Sequence, residues 1–231
     1  MAFSNRAMGR LAKKFRLCAV AFHGLRRDTQ ARLFLKINET QKRISAGLRA
    51  DLASDLYPSE PRGAAALIVK DLSTKAPFKG LVAIKPWERN KLKLANFADS
   101  LIRCGIIPRA DQRVSKSQRH DVARTVRRFF LATSKRFQSE ETRDFVFGNN
   151  GVAVLLRILS RSLDCLRGRL TDRYLHDVML PIKAFPWQRA LQEGVYSSEG
   201  DRLKLAERIM KRIAKKCRWF SLPPKGGRRR P

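Results

Sequence analysis

Hydrophobic positions along the chain recur mostly at helical spacing. From residue 28 onward, apolar side chains fall three or four positions apart in several stretches, as on one face of an α-helix. The pattern predicts seven helices: Asp28 to Lys36, Ala46 to Leu56, Ala64 to Leu72, Asn96 to Cys104, Lys116 to Phe137, Val152 to Leu166, and Asp201 to Lys216. Asp28, Ser45 and Asn96 are the residues expected to cap the helices that follow them. The stretch from Val152 is so apolar that we expect most of it to be buried.

Three shorter stretches have the pattern of β-strands. Arg16 to Phe22 is a short apolar run before a His-Gly turn, and Phe78 to Lys85 and Lys91 to Leu94 suggest a pair of strands. Pro181 and Pro186 are expected to interrupt the segment before the last helix. The predicted fold class is therefore α+β and predominantly helical, with a small sheet in the N-terminal half.

The charge of the chain gives information about its binding partner. The 231 residues contain 50 Lys and Arg against 20 Asp and Glu, a formal net charge of +30. The excess is +10 in residues 1–50, +6 in 101–150 and +10 in 201–231, but only +2 in each remaining block. Such clustering favours surfaces that meet a polyanion. An arginine-rich genomic composition is the alternative explanation.

Several classes of site are not indicated by the residues. No apolar stretch approaches the roughly 20 residues of a membrane helix, so we expect no membrane partner and a cytoplasmic location, although an acid-free start leaves a transit peptide open. There is no Gly-rich phosphate loop, and we assign no catalytic residue, metal ligand or cofactor. The cysteines and histidines are scattered singly and predict neither a disulfide framework nor a zinc site: Cys18, Cys104, Cys165, Cys217, His23, His120 and His176. The tryptophans either stack on bases or fill the core: Trp87, Trp187 and Trp219.

The most informative stretch is Arg16 to Leu52. A strand is followed by Gln30 and Phe34 in a helix, and then by an Asn-x-x-Gln-Lys-x-Ile-Ser segment over residues 38–45. This order resembles the second half of the DGQHR domain, the family that includes DNA sulfur-modification proteins of the DndB type. The predicted strand pair and the Phe147 to Val152 turn resemble later parts of such proteins, so the resemblance covers residues 16 to 166.

The resemblance implies a fold similar to the ParB-like proteins, with a phosphate-facing loop formed by Asn38, Gln41, Lys42 and Arg43. On the residues alone, Asn38 could equally end a helix while Lys42 and Arg43 are solvated. The Asp-Gly-Gln-His-Arg signature occurs nowhere in the chain. We therefore expect a truncated or divergent relative that begins downstream of the signature.

On this basis we divide the chain into a partial DGQHR-type domain at 1–110, a helical region at 111–222 and a disordered basic tail at 223–231. The expected contact surface combines the loop, the helix from Lys116 and the end of the chain from Lys211. Its candidate phosphate-binding residues are Asn38, Gln41, Lys42, Arg43, Arg49, Arg124, Arg127, Arg128, Lys215, Lys216, Arg228, Arg229 and Arg230.

The functional hypothesis is a DNA-associated accessory or regulatory protein of DNA modification and defence systems, with DNA as its partner. RNA and proteins of a modification system are alternative partners. The enzymatic alternative is a nucleotide-binding or hydrolysing ParB-like protein present as an incomplete copy, although the missing signature favours a protein that is not an enzyme.

Overall fold

Regular structure in the described part of the chain is almost entirely helical. The computed structural model describes residues 24–26, 28–33, 45–84, 88, 92–108, 112–135, 137, 139–193, 196 and 198–222. The helices are a short segment at 28–33, α1 (Ala46–Leu56), α2 (Pro61–Ser73), α3 (Leu94–Arg103), α4 (Lys116–Ser134), α5 (Glu140–Val146), α6 (Asn149–Cys165), α7 (Asp172–Lys183), α8 (Trp187–Glu193) and α9 (Glu199–Lys216). The strands are β1 (Val82–Ala83) and β2 (Leu92–Lys93). The predicted fold class, α+β and predominantly helical, is confirmed.

Hydroxyl side chains fix where several helices begin. Ser45 precedes α1, as predicted, and its Oγ accepts a hydrogen bond from the Leu48 amide at 3.3 Å. Ser115 forms a capping box at the start of α4: its Oγ accepts from the Gln118 amide at 3.1 Å, and Gln118 Oε1 accepts from the Ser115 amide at 2.8 Å. These contacts satisfy amides that have no partner within the helix.

Asn96 does not cap α3, contrary to expectation. The helix begins two residues earlier, at Leu94, which is buried. The amide of Lys93, the residue before it, donates to Asn149 Oδ1 at 3.0 Å. A tertiary contact with α6 therefore accompanies the start of α3, and Asn96 falls in its first turn.

Pro181 does not interrupt its helix, also contrary to expectation. It lies inside α7, which continues to Lys183. Proline has no amide N–H to donate to the carbonyl of Asp177, four residues earlier. The thiol of Cys217 donates to that carbonyl instead, at 3.5 Å, and so compensates for the missing helical bond.

The two strands pair, but each has only two residues. They are parallel, with Val82 opposite Leu92. The predicted strand from Phe78 was wrong in its first part, because residues 76–81 form turns and Gly80 has a positive φ of 75°. Phe78 is fully buried there, so its apolar character reflects burial in a turn. The predicted Arg16 to Phe22 strand and residues 34–36 of the first predicted helix lie outside the described residues.

The hydrophobic core is organised around α6. This helix contacts α3, α4, α5 and α9, and its residues from Gly151 to Leu156 are all buried. Beside it, the ring of Phe78 lies 4.9 to 6.0 Å between centroids from the rings of Phe97, Phe130 and Phe147. Offset and edge contacts of this kind add to the stabilisation from burial.

The core extends along most of the described chain. One hydrophobic cluster includes residues from Ala64 to Phe220, and therefore side chains on both sides of position 110. The division into a domain at 1–110 and a helical region at 111–222 stays a prediction. No helix in the described ranges is both long and apolar enough to span a lipid bilayer.

A glycine allows α1 and α2 to approach closely. A Cβ on Gly63 in α2 would lie 2.0 Å from the carbonyl oxygen of Tyr57 and 2.5 Å from that of Ala53. A backbone carbonyl cannot move aside as a flexible side chain can. Gly47, in α1, has open space where its Cβ would stand.

We predict opposite effects of alanine at these two glycines. Gly63→Ala should lower the free energy of unfolding by about 1–3 kcal/mol, because the helices must separate. Gly47→Ala is the control, and it should raise stability by about 0.5–1 kcal/mol through its better helix propensity. Urea denaturation followed by circular dichroism measures both. Equal effects of the two substitutions would contradict the close packing of α1 on α2.

Candidate nucleic-acid interface

The last helix, α9, separates its apolar and basic residues onto opposite faces. Leu205, Ile209 and Ile213 are buried at four-residue intervals, and Cys217 continues the series just beyond the helix. The sequence predicted this apolar stripe, and the structure confirms it. The stripe packs α9 against α6 and α7.

The opposite face of α9 carries a row of cations. Rotation by about 100° per residue places five basic side chains within an arc of roughly 100°. All five are exposed, and Glu207 lies at the edge of the arc. We call this surface the α9 basic face; it consists of Lys204, Arg208, Lys211, Arg212 and Lys215.

Two arginines of the α9 basic face are held in place by the end of α8 and by the segment between α7 and α8. Arg208 Nη2 is 3.0 Å from Glu193 Oε2, and Arg212 Nη1 donates to the carbonyl of Ala184 at 3.1 Å. Both guanidinium groups also lie over the ring of Phe185, at 5.8 and 5.3 Å from its centroid. Fixing these side chains reduces the rotamer entropy that a ligand would otherwise have to remove.

The lysines of this face have no such contacts. Within the part of the chain that the structure describes, Lys204, Lys211 and Lys215 form no ion pair. Lys215 and Lys216 lie in the last turn of α9, where cations also interact favourably with the negative end of the helix dipole. That effect can account for the terminal pair, but not for Lys204, which lies in the second turn.

The predicted arginines of α4 contact neighbouring segments of the protein. Arg127 Nε donates to the carbonyl of Ala76 at 3.0 Å, and Arg128 Nη2 is 2.6 Å from Asp172 Oδ1. Arg124 is paired with Asp121 at 3.7 Å across one turn, an exposed pair that contributes little to stability. The role of these arginines in phosphate binding stays a prediction.

Arg49 is the remaining predicted site residue outside α4 and α9 that the structure describes. Arg49 is exposed on α1 and lines a cavity of about 300 Å³ between α1, α2 and α3. The predicted phosphate-facing loop and the C-terminal arginines lie outside the described residues; they are Asn38, Gln41, Lys42, Arg43, Arg228, Arg229 and Arg230.

Two of the tryptophans belong to the interior. Trp187 is 4% exposed and its Nε1 donates to the carbonyl of Ile182 at 2.8 Å. Trp219 is half-buried against Tyr174, with ring centroids 5.0 Å apart. For these two residues the core interpretation is confirmed, whereas Trp87 lies outside the described residues.

The described cysteines and histidines form no reactive centre. Cys165 and Cys217 are free thiols, and burial raises the pKa of Cys217, which disfavours its thiolate. His120 and His176 are exposed. Among the described residues, no group of three His, Cys, Asp or Glu side chains could hold a metal ion.

The contact surface expected from the sequence begins at Lys211 and therefore did not include Lys204 and Arg208 of the α9 basic face. A signal was present, because the helix was predicted correctly and these positions share one face with Lys211 and Lys215. Only the apolar stripe was read from the periodicity, and the complementary basic stripe was not.

Comparisons of the chain with protein-family models, curated proteins and solved structures gave no match. The interface must therefore be interpreted from its own chemistry.

Glu193 holds Arg208, one of the arginines of the α9 basic face. Hydrogen bonds from Arg189, at 2.7 Å, and from Arg208, at 3.0 Å, lower the pKa of its carboxyl group below the usual value. Because the folded-state pKa is lower than the unfolded one, these contacts stabilise the fold above the unfolded pKa. The stabilisation is lost as the pH falls through the folded-state pKa.

We predict that Arg189→Gln raises the pKa of Glu193, and that Arg208→Gln raises it by a smaller amount. Each substitution removes one charged hydrogen-bond donor that stabilises the ionised carboxylate, so the pKa of Glu193 rises. The titration of the Glu193 carboxyl carbon followed by NMR measures both shifts. Lys79→Gln, at an exposed lysine in a distant turn, is the control. An unchanged titration midpoint in Arg208→Gln would show that Glu193 does not hold that arginine.

Proposed function

We propose that this protein binds DNA through phosphate contacts from the α9 basic face. The observation that carries the proposal is the arrangement of five exposed cations along one face of α9. The acids near them are Glu207 at the edge of the face, Asp201 one turn before Lys204, and Glu193, which is paired with Arg208. A uniformly solvated surface would mix both signs of charge. Contacts of this kind position a protein on nucleic acid and do not themselves read base sequence.

The α9 basic face is long enough to contact several nucleotides. Eleven residues separate Lys204 from Lys215, which at about 1.5 Å per residue is roughly 17 Å. Double-stranded DNA rises about 3.4 Å per base pair, so the face is as long as about five base pairs measured along the DNA axis. Contact with three to five phosphates over this length would be sufficient for binding that depends strongly on salt.

The choice of DNA over RNA, and of an accessory role in DNA modification, is supported by the resemblance of residues 16–166 to the DGQHR family. A regulatory or accessory role fits a chain that has basic surfaces and lacks the family's signature. Partner proteins of such a modification system belong to the same proposal.

We predict that affinity for a 20-base-pair duplex falls steeply with salt. The slope of log K against log salt concentration should be about −2.7 to −4.5, since each neutralised phosphate contributes roughly −0.9. Fluorescence anisotropy between 50 and 300 mM salt, a range chosen around ~150 mM physiological ionic strength, measures it. Affinity that does not change with salt would overturn the proposal.

Charge reversal on α9 should weaken this binding selectively. In Lys211→Glu/Lys215→Glu the salt slope should decrease in magnitude by about 2, because two phosphate contacts are lost. Lys79→Glu/Arg143→Glu makes the same change in net charge at exposed positions outside α9, and its slope should match the unmodified protein. Equal losses in both variants would mean that only net charge matters. Competition by an RNA duplex that exceeds competition by DNA would replace the DNA assignment with an RNA one.

A further inference from the structure

Three arginines from three helices converge on one carboxylate at the N-terminal end of α9. Arg202 Nη2 lies 3.0 Å and Arg103 Nη1 3.6 Å from Glu199 Oε2, while Arg157 Nη2 contacts Glu199 Oε1. Arg202 is positioned further by Asn150, whose Oδ1 accepts from Nη1 at 3.0 Å. These residues lie apart from the α9 basic face, since Arg202 is on the inward side of the helix.

The single carboxylate does not satisfy the donors around it. The Nε atoms of Arg157 and Arg202 are buried and have no hydrogen-bond acceptor within the described residues. The side chains of these two arginines are 20% and 19% exposed. A buried charged donor without an acceptor is unfavourable, so an additional oxygen near these atoms would be stabilising.

Arg157 is the only charged residue among the first twelve of α6, and it lies on the partly exposed side of this otherwise mostly buried helix. An apolar side chain would pack there without the cost of removing a charge from water. Its position is explained if the charge serves a ligand.

A cavity lies beside the cluster. Its volume is about 150 Å³, several times the roughly 30 Å³ that one water molecule occupies. Three arginines face two acids in its lining, Glu199 and Asp99, so the cavity has an excess of positive charge. Its walls come from α3, α6 and α9: Asn96, Asp99, Ser100, Arg103, Cys104, Asn149, Ala153, Arg157, Glu199 and Arg202.

We propose that this cavity binds the phosphate group of a phosphorylated ligand, and that Glu199 occupies the anion position in its absence. Guanidinium groups form paired hydrogen bonds with phosphate oxygens. A phosphate has more oxygens than a carboxylate and can accept hydrogen bonds from more of the guanidinium N–H groups that surround Glu199. Glu199 is 46% exposed and lies in the first turn of α9, so its side chain can rotate to solvent when the phosphate enters.

Titration calorimetry with inorganic phosphate tests this site, with ionic strength held constant by chloride. We expect saturable binding of one phosphate per chain. Glu199→Gln removes the competing charge and should tighten binding about tenfold, a change of roughly 1.4 kcal/mol. Arg103→Gln should weaken it by a similar factor. This arginine is 58% exposed, so its replacement should leave the fold intact.

Arg189→Gln is the matched control, because Arg189 is also paired with a glutamate, Glu193, but outside the cavity. Its phosphate affinity should equal that of the unmodified protein. No saturable binding, or equal binding in Arg103→Gln and Arg189→Gln, would overturn the proposal. Weaker binding in Glu199→Gln would also overturn it, because it would show that Glu199 only clamps the helices together.

The source of the phosphate is distinguished by two further ligands. Ribose 5-phosphate that binds more tightly than inorganic phosphate, and loses affinity in Arg103→Gln, identifies a small phosphorylated metabolite. A 5′-phosphorylated oligonucleotide that shows this behaviour, when its 5′-hydroxyl counterpart does not, identifies a nucleic-acid end. Both results support a phosphate site, and neither ligand should depend on Arg103 if the site does not exist.

Discussion

Burial of α6 is the interaction on which the remaining structure depends. Its apolar residues contact α3, α4, α5 and α9, so helices from distant parts of the chain share one core. Gly151 allows close packing at the N-terminal end of α6. A Cβ at this position would lie 2.2 Å from the carbonyl oxygen of Phe145. The backbone of α5 therefore fits directly against α6.

The central helix also determines where charge can be placed. Arg157 and Arg161 are the cations of α6, and both are directed to its partly exposed side. Arg157 contacts Glu199, whereas Arg161 donates to the carbonyls of Ser221 and Leu222 at 2.7 and 2.9 Å. Arg157 and Arg161 thus contact other segments of the chain, while Lys204, Lys211 and Lys215 are exposed on the outer surface of α9.

Local sequence was sufficient for the parts of the fold that depend on local contacts. Ser45 predicted the start of α1, and Leu205, Ile209 and Ile213 predicted the buried face of α9, because capping and helical periodicity involve only nearby residues. Phe78 misled the strand assignment because its apolar character reflects a tertiary aromatic cluster. Pro181 lies inside α7, where it leaves the carbonyl of Asp177 without its helical donor. The thiol of Cys217, 36 positions after Pro181, donates a hydrogen bond to that carbonyl.

The cluster of Arg103, Arg157 and Arg202 around Glu199 could not be recognised from the sequence. Arg157 and Glu199 are 42 residues apart and meet only after α6 and α9 pack together. The α9 basic face is different, because its five cations repeat along one helix and its geometry follows from helical periodicity alone. Helical periodicity is therefore sufficient to predict the α9 basic face, whereas the contacts around Glu199 can be seen only in the folded chain.

Lysine acetylation footprinting by mass spectrometry, with and without duplex DNA, tests the central claim most directly. The account predicts that Lys204, Lys211 and Lys215 become protected in the complex, while the exposed Lys75 and Lys79 react at unchanged rates. Protection of Lys75 and Lys79 equal to that of the α9 lysines, or no protection of α9, would contradict it.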